Sequence, residues 1–271
     1  MNPAIEVWHV NRFARCGACR QDWTLEEGSW APGMSCPHCG SVITEGAFFG
    51  HYQAVRRIDV GGLGEVIEAI DSVSGRTVAI KTLRHELFQN PTFLAQFARE
   101  AITLANLAHP NIVEVYEFFQ DRGIHLLAME YLDHGTLLSR VRREGPVPER
   151  DLLRIGIDAV RGLAAALAKG VLHRDIKPAN ILFDAHGRAK LVDFGLALPI
   201  DQAWAAPGGS WGSPYSVPPE RIENLPEDFR GDIYSLGVTL FHAAAGRTPF
   251  QATSASAMAW KHLKAQHVSV K

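Results

Sequence analysis

Beyond Cys39 the chain has no cysteine, and its four cysteines all fall between Cys16 and Cys39, in CGAC and CPHC. That crowding excludes a disulfide framework spread along the fold. No sign of charge dominates, with 27 Lys and Arg against 29 Asp and Glu and a net charge of −2. Bulk electrostatic attraction to nucleic acid or to an anionic membrane is therefore not expected. No apolar run reaches the roughly 18 residues that a membrane span needs; the nearest, Ile233 to Gly246, is short and carries His242. The start MNPAIEVWHV lacks a basic stretch followed by an apolar one, so no signal peptide is expected and the cytoplasm is the default compartment. Internal repeats and low-complexity tracts are also missing. What is there is an ordinary globular composition: 271 residues, 46% hydrophobic and 21% charged, enough to bury a core in one large domain or two smaller ones.

The texture changes along the chain. After an N-terminal segment, 1–12, residues 13–45 form a small cysteine unit, and Glu45-Gly-Ala-Phe-Phe-Gly50 reads as a joint, which gives a linker over 46–51. Two β-like runs, Gln53–Asp59 and Glu65–Ala69, flank the glycines Gly61, Gly62 and Gly64. Ser74-Gly75 reads as a turn and Thr77–Leu83 as a further strand. Phe93–Leu107 carries apolar residues at helical spacing, and HPNIVEVYEFF and GIHLLAMEYL read as two more strands. Then come a long helix over Glu149–Lys169, short β-like pieces at Ile181–Phe183 and Ala189–Val192, and an apolar helix over Asp232–Ala245. The expected class is α+β: a small β-rich lobe with one helix, 52–132, followed by a larger helical lobe, 133–271.

Cys16-x2-Cys19 and Cys36-x2-Cys39 are separated by 36 − 19 − 1 = 16 residues. Two tight turns presenting two thiolates each can close a tetrahedron around Zn2+, and Gly17 and Gly40 suit such turns. About 30 residues bury too little apolar area to fold alone, so a metal would supply much of the folding energy. Two disulfides or four buried thiols are the alternatives, which a reducing compartment disfavours. His38, inside CPHC, reads as an exposed turn residue, because four cysteines already complete the shell. The unit resembles the zinc ribbons. Residues 1–50 hold three basic residues (Arg12, Arg15, Arg20) and five acidic ones (Glu6, Asp22, Glu26, Glu27, Glu45), and a zinc centre with four thiolates adds two negative charges, so nucleic acid is not the expected partner. Trp8, Trp23 and Trp30 fit packing or a protein-contact surface.

The second half carries the chemistry. His173-Arg-Asp-Ile-Lys-Pro-Ala-Asn180 is followed after thirteen residues (193 − 180) by Asp193-Phe194-Gly195, and Val78-Ala-Ile-Lys81 stands upstream. In this order, and after a glycine loop, the set resembles the eukaryotic-type serine/threonine protein kinases, including those of bacteria, from about Tyr52 to the end. The resemblance implies a bilobal fold, ATP and Mg2+ as cofactors, and a protein Ser/Thr hydroxyl as acceptor. Lys81 would hold the α- and β-phosphates and Glu100, in FAREA, would hold Lys81; Asn180 and Asp193 would offer hard oxygens to magnesium; Asp175 would position the acceptor hydroxyl and Lys177 would meet the γ-phosphate. Gly61, Gly62, Gly64, Val66 and Ala79 would line the nucleotide, with Met129 as gatekeeper and Glu130 to Leu132 as hinge. Asp232-Ile-Tyr-Ser-Leu-Gly237 resembles the helix that anchors the catalytic loop, and Gly212-Ser213-Pro214 with Pro218-Pro219-Glu220 resembles the end of the activation segment. Arg174 would pair with a phosphate on that segment, for which Ser210 is the candidate, while Ser213 would contact the catalytic aspartate and lysine unmodified.

Two departures stand out. Asp59 occupies the first glycine position of the loop, which would weaken nucleotide binding without abolishing it. The chain stops at Lys271, before the helices that close the large lobe in this family, so that lobe reads as truncated and Glu220 as lacking its usual arginine. The expectation is an ATP-dependent serine/threonine kinase with an N-terminal zinc ribbon and protein substrates; a scaffold that binds nucleotide weakly and recruits a protein partner through the ribbon is the alternative.

Overall fold

In the computed structural model the described residues are 12–15, 21–25, 35, 38–41, 48–60, 64–83, 87, 90–121, 123–205 and 213–264. They divide into two units, the first Met1–Phe97 with Val115–Tyr131, the second Ala98–Glu114 with Leu132–Lys271.

The first unit is built on a six-stranded antiparallel sheet in the order β3-β4-β5-β6-β8-β7, comprising β3 (Phe48–Phe49), β4 (Tyr52–Val60), β5 (Gly64–Asp71), β6 (Thr77–Leu83), β7 (Val115–Asp121) and β8 (Ile124–Glu130). The strands follow from alternating apolar residues. Ile67, Ala69, Val78, Ile80, Leu126 and Ala128 fall on one face and form a buried cluster with Phe49 and Tyr52. Each large aliphatic side chain fully buried there stabilises the sheet by about 1.5–3 kcal/mol. Phe48–Phe49, placed in a linker by the sequence reading, instead pairs with Gln53 and Tyr52; Gly50 makes the tight return with φ +59° and donates its N–H to Asp121 Oδ2 at 2.9 Å. A separate antiparallel pair, β1 (Arg12–Arg15) with β2 (Asp22–Leu25), precedes this sheet.

Helix α1 (Pro91–Ala105) begins in the first unit and ends in the second. The expected strand over HPNIVEVYEFF starts only at Val115. Pro110 has no N–H to give a ladder, and the preceding segment serves the second unit: Val113 donates to Leu191 O, and Leu191 donates to Asn111 O.

The second unit holds α2 (Leu137–Glu144), capped by Thr136 and Ser139, then α3 (Glu149–Ala168), α4 (Ile200–Ala205), α5 (Pro219–Ile222), α6 (Phe229–Ala245) and α7 (Ala255–Lys264). Along α3, Ile155, Ala159, Gly162, Leu163 and Ala166 recur at helical spacing and are buried. A side chain at Gly162 would press on the Asn111 carbonyl at 2.8 Å, so glycine there sets how closely α3 approaches. Two short antiparallel pairs frame the site: β9 (Val171–Leu172) with β12 (Leu198–Pro199), and β10 (Ile181–Phe183) with β11 (Ala189–Leu191). Leu153, Ile157 and Val160 on α3 and Phe229 and Ile233 on α6 remain exposed, an apolar surface of the kind that further packing covers. Among the described residues no helix is long and apolar enough to cross a membrane.

Candidate active site

The loop from His173 to Asn180 runs between β9 and β10 and is fixed from its backbone outward. Asp232, in the first turn of α6 and buried, receives the N–H of His173 at 2.9 Å and of Arg174 at 2.8 Å, one on each oxygen. Between these bonds Arg174 takes φ +68°, a left-handed conformation that a non-glycine residue enters at a cost of about 1–2 kcal/mol. The His173 ring is fully buried against Phe194, with centroids 4.3 Å apart. Its Nε2–H donates to Val192 O at 3.1 Å and its Nδ1 accepts from the Asp175 N–H at 3.3 Å, which assigns the tautomer. Asp193, with φ +63°, makes the second left-handed step, directly after β11 and Val192.

These constraints aim the predicted polar groups at one another. Asp175 Oδ2 accepts from Lys177 Nζ at 2.6 Å and from Asn180 Nδ2 at 3.0 Å, and the same Asn180 amide reaches the Asp175 carbonyl at 2.9 Å. Among the described residues, Asp175 Oδ1 receives only a long contact, 3.4 Å, from the Ser213 N–H. One carboxylate oxygen is thus committed and the other is the one open to an acceptor hydroxyl. Asn180 turns its Nδ2 to Asp175, which leaves Oδ1 as the oxygen for a hard cation; together with the Asp193 carboxylate this donor set fits Mg2+. Ser213 meets Asp175 through its backbone rather than its hydroxyl.

Arg174 differs from the expectation. Its side chain is not waiting for a phosphate: Nε and Nη2 donate to the two oxygens of Glu227 at 3.2 and 2.6 Å. Arg221, from α5, grips the same carboxylate through Nε at 2.9 and 3.0 Å and Nη2 at 2.6 Å, and donates Nη1 to the Arg174 carbonyl at 2.6 Å. Burial pushes the Glu227 carboxyl up, but the hydrogen bonds and charges of Arg221 and Arg174 outweigh it and hold the group below the usual carboxylate range. Glu220, expected to miss its partner, lies against the first turn of α6, with Oε1 3.1 Å from where a Cβ on Gly231 would sit. The positive end of the helix suits its charge.

In the first unit the sheet register collects the nucleotide candidates. Val66 lies opposite Lys81, Lys81 opposite Leu127 and Ala79 opposite Met129, so Val66, Ala79, Lys81 and Met129 share one face. Glu130 ends β8 opposite Val78, and next to it the Tyr131 hydroxyl accepts from Arg56 and donates to Glu68, each at 2.9 Å. Gly64 opens β5, where any Cβ would overlap the Thr82 carbonyl. The neighbouring strand, not a phosphate, already demands glycine there. Asp59 is the last residue but one of β4, beside a bulge, and its exposed carboxylate accepts its neighbour Val60 N–H at 2.8 Å. Glu100, in the part of α1 that belongs to the second unit, is buried. Gly61, Gly62, Cys16, Cys19, Cys36 and Ser210 lie outside the described residues.

Glu227 and Arg221 are the partners of Arg174 that sequence reasoning missed. They are 53 and 47 residues from Arg174, and an acid just before a helix reads as an ordinary N-terminal charge.

The comparisons agree with this geometry. A probable serine/threonine-protein kinase, pknA2, of Bifidobacterium longum is 38% identical over 218 residues, 79% of this chain and 29% of that protein. Serine/threonine-protein kinase PrkC of Bacillus subtilis is 37% identical over 223 residues, 82% and 34% of the two chains. Serine/threonine-protein kinase PknA of Mycobacterium tuberculosis is 36% identical over 221 residues, 79% and 51%. The chain thus spans only about a third of the length of the first two. The protein kinase domain matches residues 52–271, and the chain belongs to the protein kinase domain family.

Proposed function

We propose that this protein is an ATP-dependent serine/threonine protein kinase. The observation that carries the reading is the carboxylate of Asp175, buried, locked through Oδ2 by Lys177 and Asn180, and open at Oδ1. Such an oxygen can accept the proton of an incoming hydroxyl and aim its lone pair, a contribution of about 10²–10⁴ in rate. Lys177, on the same carboxylate, is placed to neutralise charge on a transferring phosphoryl group. Magnesium, held by Asn180 and Asp193, would neutralise phosphate oxygens of ATP. Lys81, with Val66, Ala79 and Met129 on its face of the sheet, and the hinge from Glu130 to Leu132 are the nucleotide-binding candidates; Glu100, Gly61, Gly62 and Gly64 keep the roles the resemblance implies. Lys177, two residues after the catalytic aspartate, supports serine or threonine as acceptor. Incubation with Mg-ATP labelled in the γ-phosphate and a casein mixture, followed by phosphoamino-acid analysis, is the test. Phosphoserine and phosphothreonine are expected; phosphotyrosine alone, or nucleotide binding with no transfer, would overturn the reading, the latter in favour of a scaffold.

Residues 13–45 are proposed as a four-cysteine zinc ribbon that contacts a protein partner. Supporting this, the antiparallel pair β1 and β2 brackets Cys16 and Cys19, and the turn at His38 and Cys39 is followed by Gly40 at φ +73°. Among the described residues no group of side chains is arranged to hold a metal; three of the four cysteines lie outside them. Metal analysis of protein purified without added metal should give one zinc per chain, and disulfides by mass spectrometry in a folded, zinc-free ribbon would refute it.

A further inference from the structure

We infer that Glu227, clamped between Arg174 and Arg221, is a built-in anion that positions the catalytic loop, so that Asp175 reaches its working geometry without a phosphate on the activation segment. The inference rests on the kinase reading and deepens it.

Three observations carry it. First, the anion site beside Arg174 is filled. Both oxygens of Glu227 are bound by both guanidinium groups, and the two donors of Arg174 that form its fork are spent on them. Second, the cluster is dry: the Arg174, Arg221 and Glu227 side chains are 7%, 2% and 4% exposed. At such a site an ion pair is not the weak, screened contact of a surface, and removing one partner strands a buried charge. Among the described residues the charged side chains that meet in this cluster are Arg174, Arg221 and Glu227, one carboxylate shared by two guanidinium groups. Third, the cluster acts on the backbone that carries the catalytic group. Arg221 holds the Arg174 carbonyl while Asp232 holds the Arg174 N–H, so the left-handed residue is pinned on both sides, and Asp175 is the next residue. Glu227 therefore reaches Asp175 through Arg174 and Arg221 and is a positioning residue, not a catalytic one. It takes the place that the sequence reserved for a phosphate on Ser210.

The test compares wild type with Glu227→Gln and Arg221→Gln, all treated with a protein phosphatase and verified as unphosphorylated by intact mass. The readouts are kcat, KM for Mg-ATP and thermal unfolding. Unphosphorylated wild type is expected to keep its rate within about twofold of the untreated protein. Glu227→Gln is expected to lose at least about tenfold in kcat at a temperature well below its midpoint, with a smaller change in KM for Mg-ATP, because the nucleotide candidates Lys81 and Met129 belong to the first unit. A variant that melts earlier but keeps its kcat would show a merely structural strut and overturn the inference. Should Glu227→Gln not fold, Arg221→Gln decides, since it leaves the Arg174–Glu227 pair: a kcat at least about threefold lower at unchanged KM supports the inference, and an unchanged kcat refutes it. Wild type that transfers phosphate only when phosphorylated overturns the inference and leaves the kinase reading standing. Wild type inactive in both states overturns the kinase reading, and the inference with it.

Discussion

Asp232→Asn is nearly isosteric, so its effect isolates the carboxylate. In the wild type each oxygen receives one buried backbone N–H, from His173 at 2.9 Å and from Arg174 at 2.8 Å. Asparagine keeps one acceptor and turns an NH2 toward the other donor. One charge-assisted bond, worth about 1.5–3 kcal/mol, is lost, and a buried N–H is left facing another donor. A total of about 2–4 kcal/mol follows, and for a unit of this size that is a fall of roughly 5–15 °C in the thermal midpoint. The same bond holds Arg174 at φ +68°. Released, that residue relaxes toward an ordinary backbone and carries Asp175 with it, so kcat should fall at least about tenfold even at temperatures where the variant is folded. Thermal unfolding followed by near-UV circular dichroism, with phosphoryl transfer measured on the same samples, checks both parts. A midpoint within about 1 °C of wild type would refute the hydrogen-bond argument, and an unchanged kcat would refute the link from Asp232 to Asp175.

Lys81→Met should reduce transfer by about 100-fold or more; rate measurements beside wild type, on protein shown to be folded, check it. Gly64→Ala should cost about 3 kcal/mol in urea unfolding, since its Cβ meets the Thr82 carbonyl rather than a side chain that can move; a neutral effect would mean that β5 and β6 can separate freely. The depressed Glu227 carboxyl predicts acid sensitivity. Its folded value lies below the ordinary 4.5, so its contribution is complete above pH 4.5 and is lost as pH falls through the lower, folded value. Glu227→Gln should flatten that part of the stability profile, and an unaltered slope there would count against the buried charge cluster.

The fold was readable where short-range pattern decides. Thr77–Leu83 and Ile181–Phe183 are the strands observed, and Glu149–Lys169 misses its helix end by one residue. It was less readable where distant partners decide. Asn111 to Val113 lies in a run that reads as strand, yet the Asn111 carbonyl and the Val113 N–H bond Leu191, and the Ile112 N–H turns back to the His109 carbonyl. Phe48 and Phe49 look like a joint, because a two-residue strand shows no period, and only pairing with Tyr52 and Gln53 defines it. The polar site behaves the same way. Asp175, Lys177 and Asn180 sit within six residues, so one motif reports their contacts. Arg174, Arg221 and Glu227 are joined only by the fold, and nothing in their spacing signals a shared carboxylate. Gly64 shows the converse: its residue type was noticed, but the cause is the Thr82 carbonyl in the next strand.

The most direct measurement of the central claim is the rate of phosphoryl transfer from Mg-ATP to a protein substrate by Asp175→Asn, beside wild type of matched folding. Asparagine preserves the shape of the Lys177 and Asn180 neighbourhood but cannot take up a proton at Oδ1. The account predicts a loss of about 10²–10⁴ in kcat with ATP binding retained. Equal turnover by the two proteins would contradict it.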